Sequence, residues 1–334
     1  MATAGAETIG TASRRRWLVC ALLLLATGIN YLDRQTIGLL KPTLQVQFGW
    51  NERAYADIVF WFQAAYAVGY LGFGAVIDRL GARIGYAAAF TLWTVAHMLH
   101  AGVRSALGFG AVRFLLGLGE SGNFPAGLRA VADWFPTEER AFATGVFNAG
   151  SNIGVIAAPL IVPAITLTLG WRAAFLITGA VSLLWLIPWL MLYRHPAKAG
   201  AVTSSEAPRI MPWRRVLGLK QAWAYAAAKA LTDPVWWLFL FWLPDFLHRR
   251  YGLNLKDFGP PLVAVYLMSD VGSVAGGWLS LRLIRSGWTA NWARKGAMLF
   301  CALLVTPIFV IQSVTQLWPA VAIIGLAAAA HQAW

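Results

Sequence analysis

Long apolar runs, separated by short segments rich in charge, proline and glycine, recur along the whole chain. Ten of them, at about 17–40, 54–77, 84–104, 107–130, 141–166, 172–193, 222–248, 259–284, 293–313 and 317–334, meet or approach the roughly 20 residues that an α-helix needs to cross a bilayer at about 1.5 Å per residue. The pattern predicts ten membrane-spanning helices. Pro159, Pro188 and Pro307 fall inside runs without arguing against helices, since glycine and proline are commoner in membrane helices than in soluble ones. Arg14, Arg15 and Arg16 ahead of Trp17 imitate a secretory signal. The run continues into Asn30, Tyr31, Asp33, Arg34 and Gln35 without a small-residue cleavage site, so it reads as the first span.

Composition supports the same class. Hydrophobic residues make up 59% of the 334 and charged residues only 12%, too few to build a water-exposed surface for two soluble domains. The surrounding solvent is therefore expected to be a lipid bilayer. The net charge of +13 raises the question of nucleic acid, but the basic residues lie between apolar runs and form no basic stripe with interleaved aromatics. A nucleic-acid partner is not expected. Cys20 and Cys301 sit within apolar runs, with no partners for a disulfide framework or a metal site.

The distribution of charge predicts orientation. Segments on one side of the spans, counted from the N-terminus, carry 17 Lys and Arg, and those on the other side carry 7. The N-terminus is therefore expected in the cytoplasm. Arg34, Arg113 and Lys229 fall within spans. The longest connection, 194–221, is rich in Pro, Ser and basic residues and divides six spans (1–193) from four (222–334). This arrangement predicts a six-helix N-terminal bundle, a cytoplasmic central loop and an incomplete C-terminal bundle. The final run stops at AAAAHQAW without exit anchors, so the chain is expected to be a fragment of a twelve-helix protein.

The sharpest local motif is GAVIDRLGAR at 74–83, between spans two and three. Gly74 and Gly81 permit a tight turn, while Asp78, Arg79 and Arg83 can pair with neighbouring helix ends as a conformational latch. Without further context it also fits a simple positive-inside loop. It resembles the signature loop of the major facilitator superfamily, G-x-x-x-D-R-x-G-x-R, at every fixed position. NYLDR at 30–34, RFLLGLGESGNFPA at 113–126, WFPTEERA at 134–141, NAGSNIGVIAAP at 148–159 and LTDPVWWLFLFWLP at 231–244 resemble the anion:cation symporter branch, most nearly bacterial hexuronate and galactonate transporters. The turn GGWLSLRLIRSGW at 276–288 lacks the Asp and Arg pair of the first loop, which resembles the variant usual in that branch. The resemblance implies an all-α polytopic fold of two six-helix bundles, the second truncated. It also implies a multi-pass protein of the bacterial inner membrane that imports a sugar-acid anion, a hexuronate, with protons by alternating access.

Buried charge leads to the same region. An ionisable group at the centre of a bilayer costs at least about 2.5 kcal/mol, so it normally faces a polar interior. Asp33 with Arg34, and Arg113 with Glu120, read as two such pairs; the second two lie seven residues apart, about two turns, on one helix face. They also fit ion pairs that only hold helices together. A guanidinium matches a carboxylate as a planar fork and stays protonated, whereas a buried carboxyl can change its protonation state. The resemblance implies that Asp33 and Glu120 are linked to the proton and that Arg34 engages the substrate carboxylate. Tyr31, Tyr66, Arg113, Asn148, Ser151 and Asn152 are candidate polar contacts, and Trp236 or Trp237 can stack on a sugar face. Each taken singly also fits an interhelical hydrogen bond or an interface aromatic.

Other signals carry less. Gly150 with Gly154, and Gly272 with Gly276, have the spacing of close helix packing, and Lys229 with Asp233 that of a one-turn ion pair. GLGESG at 117–122 fits G-x-G-x-x-G, but no strand precedes it, so no dinucleotide cofactor is expected. His97, His100, His195, His248 and His331 lack metal-ligand spacing, and no P-loop marks ATP-driven transport. Rival readings are an organic-anion exchanger or drug antiporter of the same fold, or a membrane sensor or inactive remnant that binds without transporting. The fifth span lacks the glycine-rich pattern of drug antiporters, no signalling domain supports a sensor, and enzymatic function has almost no support.

Overall fold

A computed structural model describes residues 2–193 and 213–333, with side chains described from Arg14 and from Arg214 onward; most of the 194–221 connection, including His195, lies outside the described residues. Every regular element among them is helical. The first helix, α1, spans Ala2–Phe48, and α2, Glu52–Leu99, contains both the second and third predicted spans. The fourth span is made of α3, Ala106–Glu120, and α4, Asn123–Trp134. The fifth is α5, Thr137–Leu169, and the sixth comprises α6, Trp171–Leu183, and α7, Leu186–Leu192. After α8, Trp213–Leu217, come α9, Lys220–Tyr251, α10, Gly259–Arg285, α11, Ala290–Val305, and α12, Leu317–Ala333.

Six of the helical stretches among the described residues are long and apolar enough to cross a membrane. The distribution of side chains is that of a protein dissolved in lipid. Phe60, Leu71, Leu107, Leu167, Ile187 and Phe309 are exposed, whereas Asp33, Arg34, Arg113 and Glu120 are buried. In hydrocarbon no water satisfies a polar group on the outer surface, so the polar groups turn inward and the aliphatic ones outward.

Local chemistry sets the helix ends. Asn51 accepts a hydrogen bond from the Ala54 N–H at 2.8 Å and starts α2, and Ser105 does the same for Gly108 at 3.1 Å at the start of α3. Within α2, Gly81 has φ 74°, the left-handed region that a side chain disfavours, and there the helix direction breaks between the second and third spans. The tight turn expected of GAVIDRLGAR is this break.

Contacts divide the chain into two compact units. One comprises Met1–His195 with Pro244–Tyr266, and the other Pro196–Leu243 with Leu267–Trp334. In the first unit, α1 packs along α5 and α2 along α3. A Cβ on Gly150 would strike the carbonyl of Leu24, and one on Gly154 the carbonyl of Gly28, so the expected close approach is present. In the second unit Gly272 and Gly276 stand in the same way against the backbone of Ala329 and Ala333. GLGESG has a packing role too: a Cβ at Gly117 would meet the Phe62 carbonyl, and one at Gly119 the Trp93 backbone. Lys229 and Asp233 pair at 2.6 Å, as their spacing predicts.

Replacing Gly154 by Leu is expected to destabilise the first unit by about 3 kcal/mol or more, because the clash is with backbone and no rotamer relieves it. A lowered melting midpoint of the detergent-solubilised protein checks this. An unchanged midpoint would mean that α1 and α5 do not depend on the close approach.

Candidate functional site

The site lies in the first unit, where α1, α2 and α3 bring ionisable groups together away from lipid. Arg34 is 2% exposed and Asp33, Arg113, Glu120 and His97 are 0% exposed. Asp33 and Arg34 come from the middle of α1. Arg113 and Glu120 come from one face of α3, as their spacing predicts.

Arg34 is the hub. Its Nε and Nη2 both reach Oε2 of Glu120 at 2.8 Å, and Nη2 also donates to Asn30 Oδ1 at 3.0 Å. The guanidinium lies 4.6 Å from the ring centroid of Tyr31, 4.8 Å from that of Tyr66 and 5.4 Å from that of Phe62. Three aromatic faces and a carboxylate hold a charge that lipid could not solvate. Arg113 donates from Nη2 to the backbone carbonyl of Arg34 at 3.2 Å and lies 4.6 Å from the Phe62 ring, so the two arginines share one aromatic neighbour.

The pairing expected from sequence is therefore rearranged. Neighbours in sequence on a helix point about 100° apart, so Asp33 and Arg34 face different partners. Arg34 takes Glu120 from α3, while Asp33 Oδ1 lies 3.3 Å from Nε2 of His97 on α2. His97 was discounted above because it lacks metal-ligand spacing. A better signal was present: two histidines, His97 and His100, three residues apart within an otherwise apolar span.

The remaining candidates are placed as follows. Tyr31 and Tyr66 flank Arg34 as described. Ser151 on α5 donates to the Asn148 backbone carbonyl at 2.7 Å and lies 3.3 Å from Asn152 Oδ1, so its hydroxyl is engaged within its own helix. Asn148 is exposed and Asn152 half-buried. Trp236 and Trp237 belong to the second unit, where Trp237 stacks on Phe241 with centroids 5.8 Å apart. Among the described residues no group of three His, Cys, Asp or Glu side chains is arranged to hold a metal ion.

The loop read as a latch makes specific contacts. Asp78 pairs with Arg129 of α4 at 3.4 Å, and Arg129 also reaches Asp133 at 3.0 Å. Arg83 donates to the carbonyl of Leu190 at the end of α7 at 2.6 Å, and Trp189 Nε1 donates to the Arg83 carbonyl at 3.0 Å. Gly74 has open space around it, and Arg79 is exposed.

A second network, missed in the sequence, lies at the end of α1 remote from its N-terminus. Lys41 lies just beyond the first predicted span, yet it is 0% exposed and bonds Asp245 at 2.6 Å and Glu52 at 2.8 Å. Arg249 reaches Asp245 at 3.0 Å and also pairs with Glu52. Further along α1 toward the hub, Gln35 donates to the Tyr266 hydroxyl at 2.6 Å.

The Major Facilitator Superfamily profile matches residues 23–334. The chain is 36% identical over 280 residues to the hexuronate transporter of Escherichia coli (strain K12), covering 79% of this chain and 65% of that protein. It is 35% identical over 283 residues to the galacturonate transporter of Dickeya chrysanthemi, covering 80% of this chain and 81% of that one. The chain thus spans about two thirds of the length of the first of these relatives. In fold it is similar to a bacterial homologue of the human lysosomal transporter Spinster in an inward-facing, unoccupied conformation. The TM-score is 0.80 at 19% identity, over 96% of this chain and 73% of that one. All three are named as transporters or transporter homologues. The chain belongs to the Major Facilitator Superfamily.

Proposed function

We propose that the protein is a proton-coupled symporter that takes up a sugar acid, a hexuronate, by alternating access. The observation that carries this reading is the buried Arg34, a permanent cation whose carboxylate partner Glu120 can itself be neutralised by a proton. A substrate carboxylate and Glu120 compete for one guanidinium. When Glu120 takes a proton, the fork is released to the anion; when the anion leaves, the proton is released and the ion pair re-forms. Charge stays balanced at every stage in a site where an unpaired buried charge would cost several kcal/mol.

The relatives' names support the substrate class, since the two described above carry hexuronate and galacturonate. Tyr31 and Tyr66 beside Arg34 offer hydroxyls to a polyhydroxylated anion. Arg113 adds a second positive charge, and Asn148, Ser151 and Asn152 of α5 are the proposed polar contacts in the first unit; Trp236 and Trp237 of α9 are proposed separately as faces on which a sugar can stack. Asp33 is the second proton-linked carboxyl. The reading places the protein in the bacterial inner membrane with its N-terminus cytoplasmic and 194–221 as the cytoplasmic link between the bundle of 1–193 and that of 222–334. The 74–83 loop then acts as the cytoplasmic latch, and the Lys41–Asp245–Glu52–Arg249 cluster lies at the outer end.

The test is uptake of labelled glucuronate, galacturonate, galactonate and uncharged glucose into vesicles carrying the purified protein, with and without an inward proton gradient. Accumulation of an acid against its gradient, only when the proton gradient is imposed, is expected. Accumulation driven equally by a trans-side organic anion at symmetric pH would instead establish an exchanger. Equal uptake of glucose would remove the role of the substrate carboxylate.

A further inference from the structure

Asp33 has a buried histidine as its neighbour. His97 is fully buried on α2, with its Nε2 3.3 Å from Asp33 Oδ1 and 2.8 Å from Thr178 Oγ1 on α6. The hydroxyl of Thr178 donates its one proton to the Ala174 carbonyl at 2.7 Å. Thr178 therefore accepts from His97, and Nε2 carries a hydrogen. That hydrogen points at Thr178, not at the carboxylate, since neither oxygen of Asp33 accepts a hydrogen bond among the described residues. Nδ1 of His97, the lone-pair nitrogen of this tautomer, likewise has no hydrogen-bond partner among them.

Both oxygens of Asp33 and Nδ1 of His97 lack a hydrogen-bond partner among the described residues although the two buried side chains lie in contact, and each such unsatisfied group costs about 1–3 kcal/mol. We propose that His97 is a proton-relay residue for Asp33, taking a proton at Nδ1 and passing the one on Nε2 to the Asp33 carboxylate. This rests on the reading of Asp33 as proton-linked. In the step, a proton from solvent adds to Nδ1 and gives imidazolium. The Nε2–H bond then breaks as an O–H bond forms on Oδ1, leaving neutral imidazole and a carboxylic acid. Small rotation of the ring moves Nε2–H from Thr178 to Asp33, since both acceptors lie within contact of the same nitrogen. Discharge of Asp33 reverses the path and restores the first tautomer.

The surroundings suit transfer over storage. Arg113 and Glu120 of α3 are the charged groups whose fields act on Asp33, and Arg113 and His100 act on His97. His100 donates from Nδ1 toward the carbonyls of Ala96 and His97, at 2.9 and 3.1 Å, and the ring of Phe175 on α6 lies 5.1 Å from that of His97. His97 thus meets one carboxylate, one hydroxyl and an aromatic face, with no second anion in contact among the described residues to hold the proton permanently.

The experiment compares proton-driven accumulation and substrate counterflow at equal pH, in vesicles, for wild type, Asp33→Asn, His97→Gln and Thr178→Val. His97→Gln is expected to lower proton-driven uptake by about a hundredfold, the usual scale of a lost proton-transfer group, with counterflow still measurable. Thr178→Val leaves Asp33 as the remaining acceptor of Nε2–H, so imidazolium is favoured and the pH profile of uptake is expected to move to higher pH. A purely structural role for His97 would lower both activities together and leave the profile in place. Loss of accumulation in Asp33→Asn with wild-type accumulation and pH profile in His97→Gln would overturn the relay alone. Full accumulation in Asp33→Asn would remove the coupling role of Asp33, and the relay with it. If His97→Gln loses counterflow as well, infrared difference spectra of wild type labelled at histidine decide. An imidazole band titrating together with a carboxyl band supports the relay, and an imidazole that never changes protonation refutes it.

Discussion

Arg34→Ala is expected to abolish binding of a hexuronate, with a loss of about 2–5 kcal/mol, or roughly thirtyfold to several thousandfold in affinity. The Arg34 guanidinium is bonded directly to a carboxylate, Glu120, that a proton can neutralise, so protonation of this neighbour releases it to receive an anion. Its removal also leaves Glu120 buried without the partner that now bonds it through Nε and Nη2, at a stability cost of about 3–5 kcal/mol. These two effects separate in the double variant Arg34→Ala with Glu120→Gln. There the orphaned charge is gone, so the melting midpoint should recover toward wild type while binding does not. Arg34→Lys should rescue little, because one ammonium cannot reproduce the two converging bonds to Glu120 together with the bond to Asn30. Quenching of intrinsic tryptophan fluorescence by glucuronate measures the affinity. Wild-type affinity in Arg34→Ala would place the anion elsewhere.

Glu120→Gln is expected to lose all uphill uptake driven by a proton gradient while keeping a measurable part of substrate counterflow. Glutamine has nearly the shape of protonated glutamate and cannot carry a negative charge. Arg34 then remains available to the anion at every pH, and nothing returns a proton to complete the cycle. In wild type, uptake should rise as the pH on the substrate side falls, because neutralising Glu120 releases its fork. In Glu120→Gln that component of the pH profile should be flat. Undiminished gradient-driven accumulation by this variant would show that the coupling proton travels through another group, of which Asp33 is the nearest candidate.

Much of this protein follows from one-dimensional information. Apolar runs near 20 residues in length, with most of the charge between them, can end only as helices in lipid, because no other open structure satisfies its backbone there. A spacing of seven from Arg113 to Glu120 places both on one face of α3, and a spacing of four from Lys229 to Asp233 places them in contact, since helical periodicity is a local property. Glycine spacing in α5 likewise announced an approach to a neighbour, though not that the neighbour is α1.

Partnership between helices was decided only by the tertiary structure. Asp33 and Arg34 look like a pair when read in line, yet the turn of α1 sends them to different helices, one to His97 and the other to Glu120. Lys41 lies just beyond an apolar run and reads as a loop cation, yet packing of the segment 244–266 against the end of α1 buries it between Asp245 and Glu52. A sequence assigns each residue to a helix and to a face of that helix. The rotation of one helix against another, which selects which faces meet, is the sum of many weak packing contacts spread over the bundle, and it has no local signature.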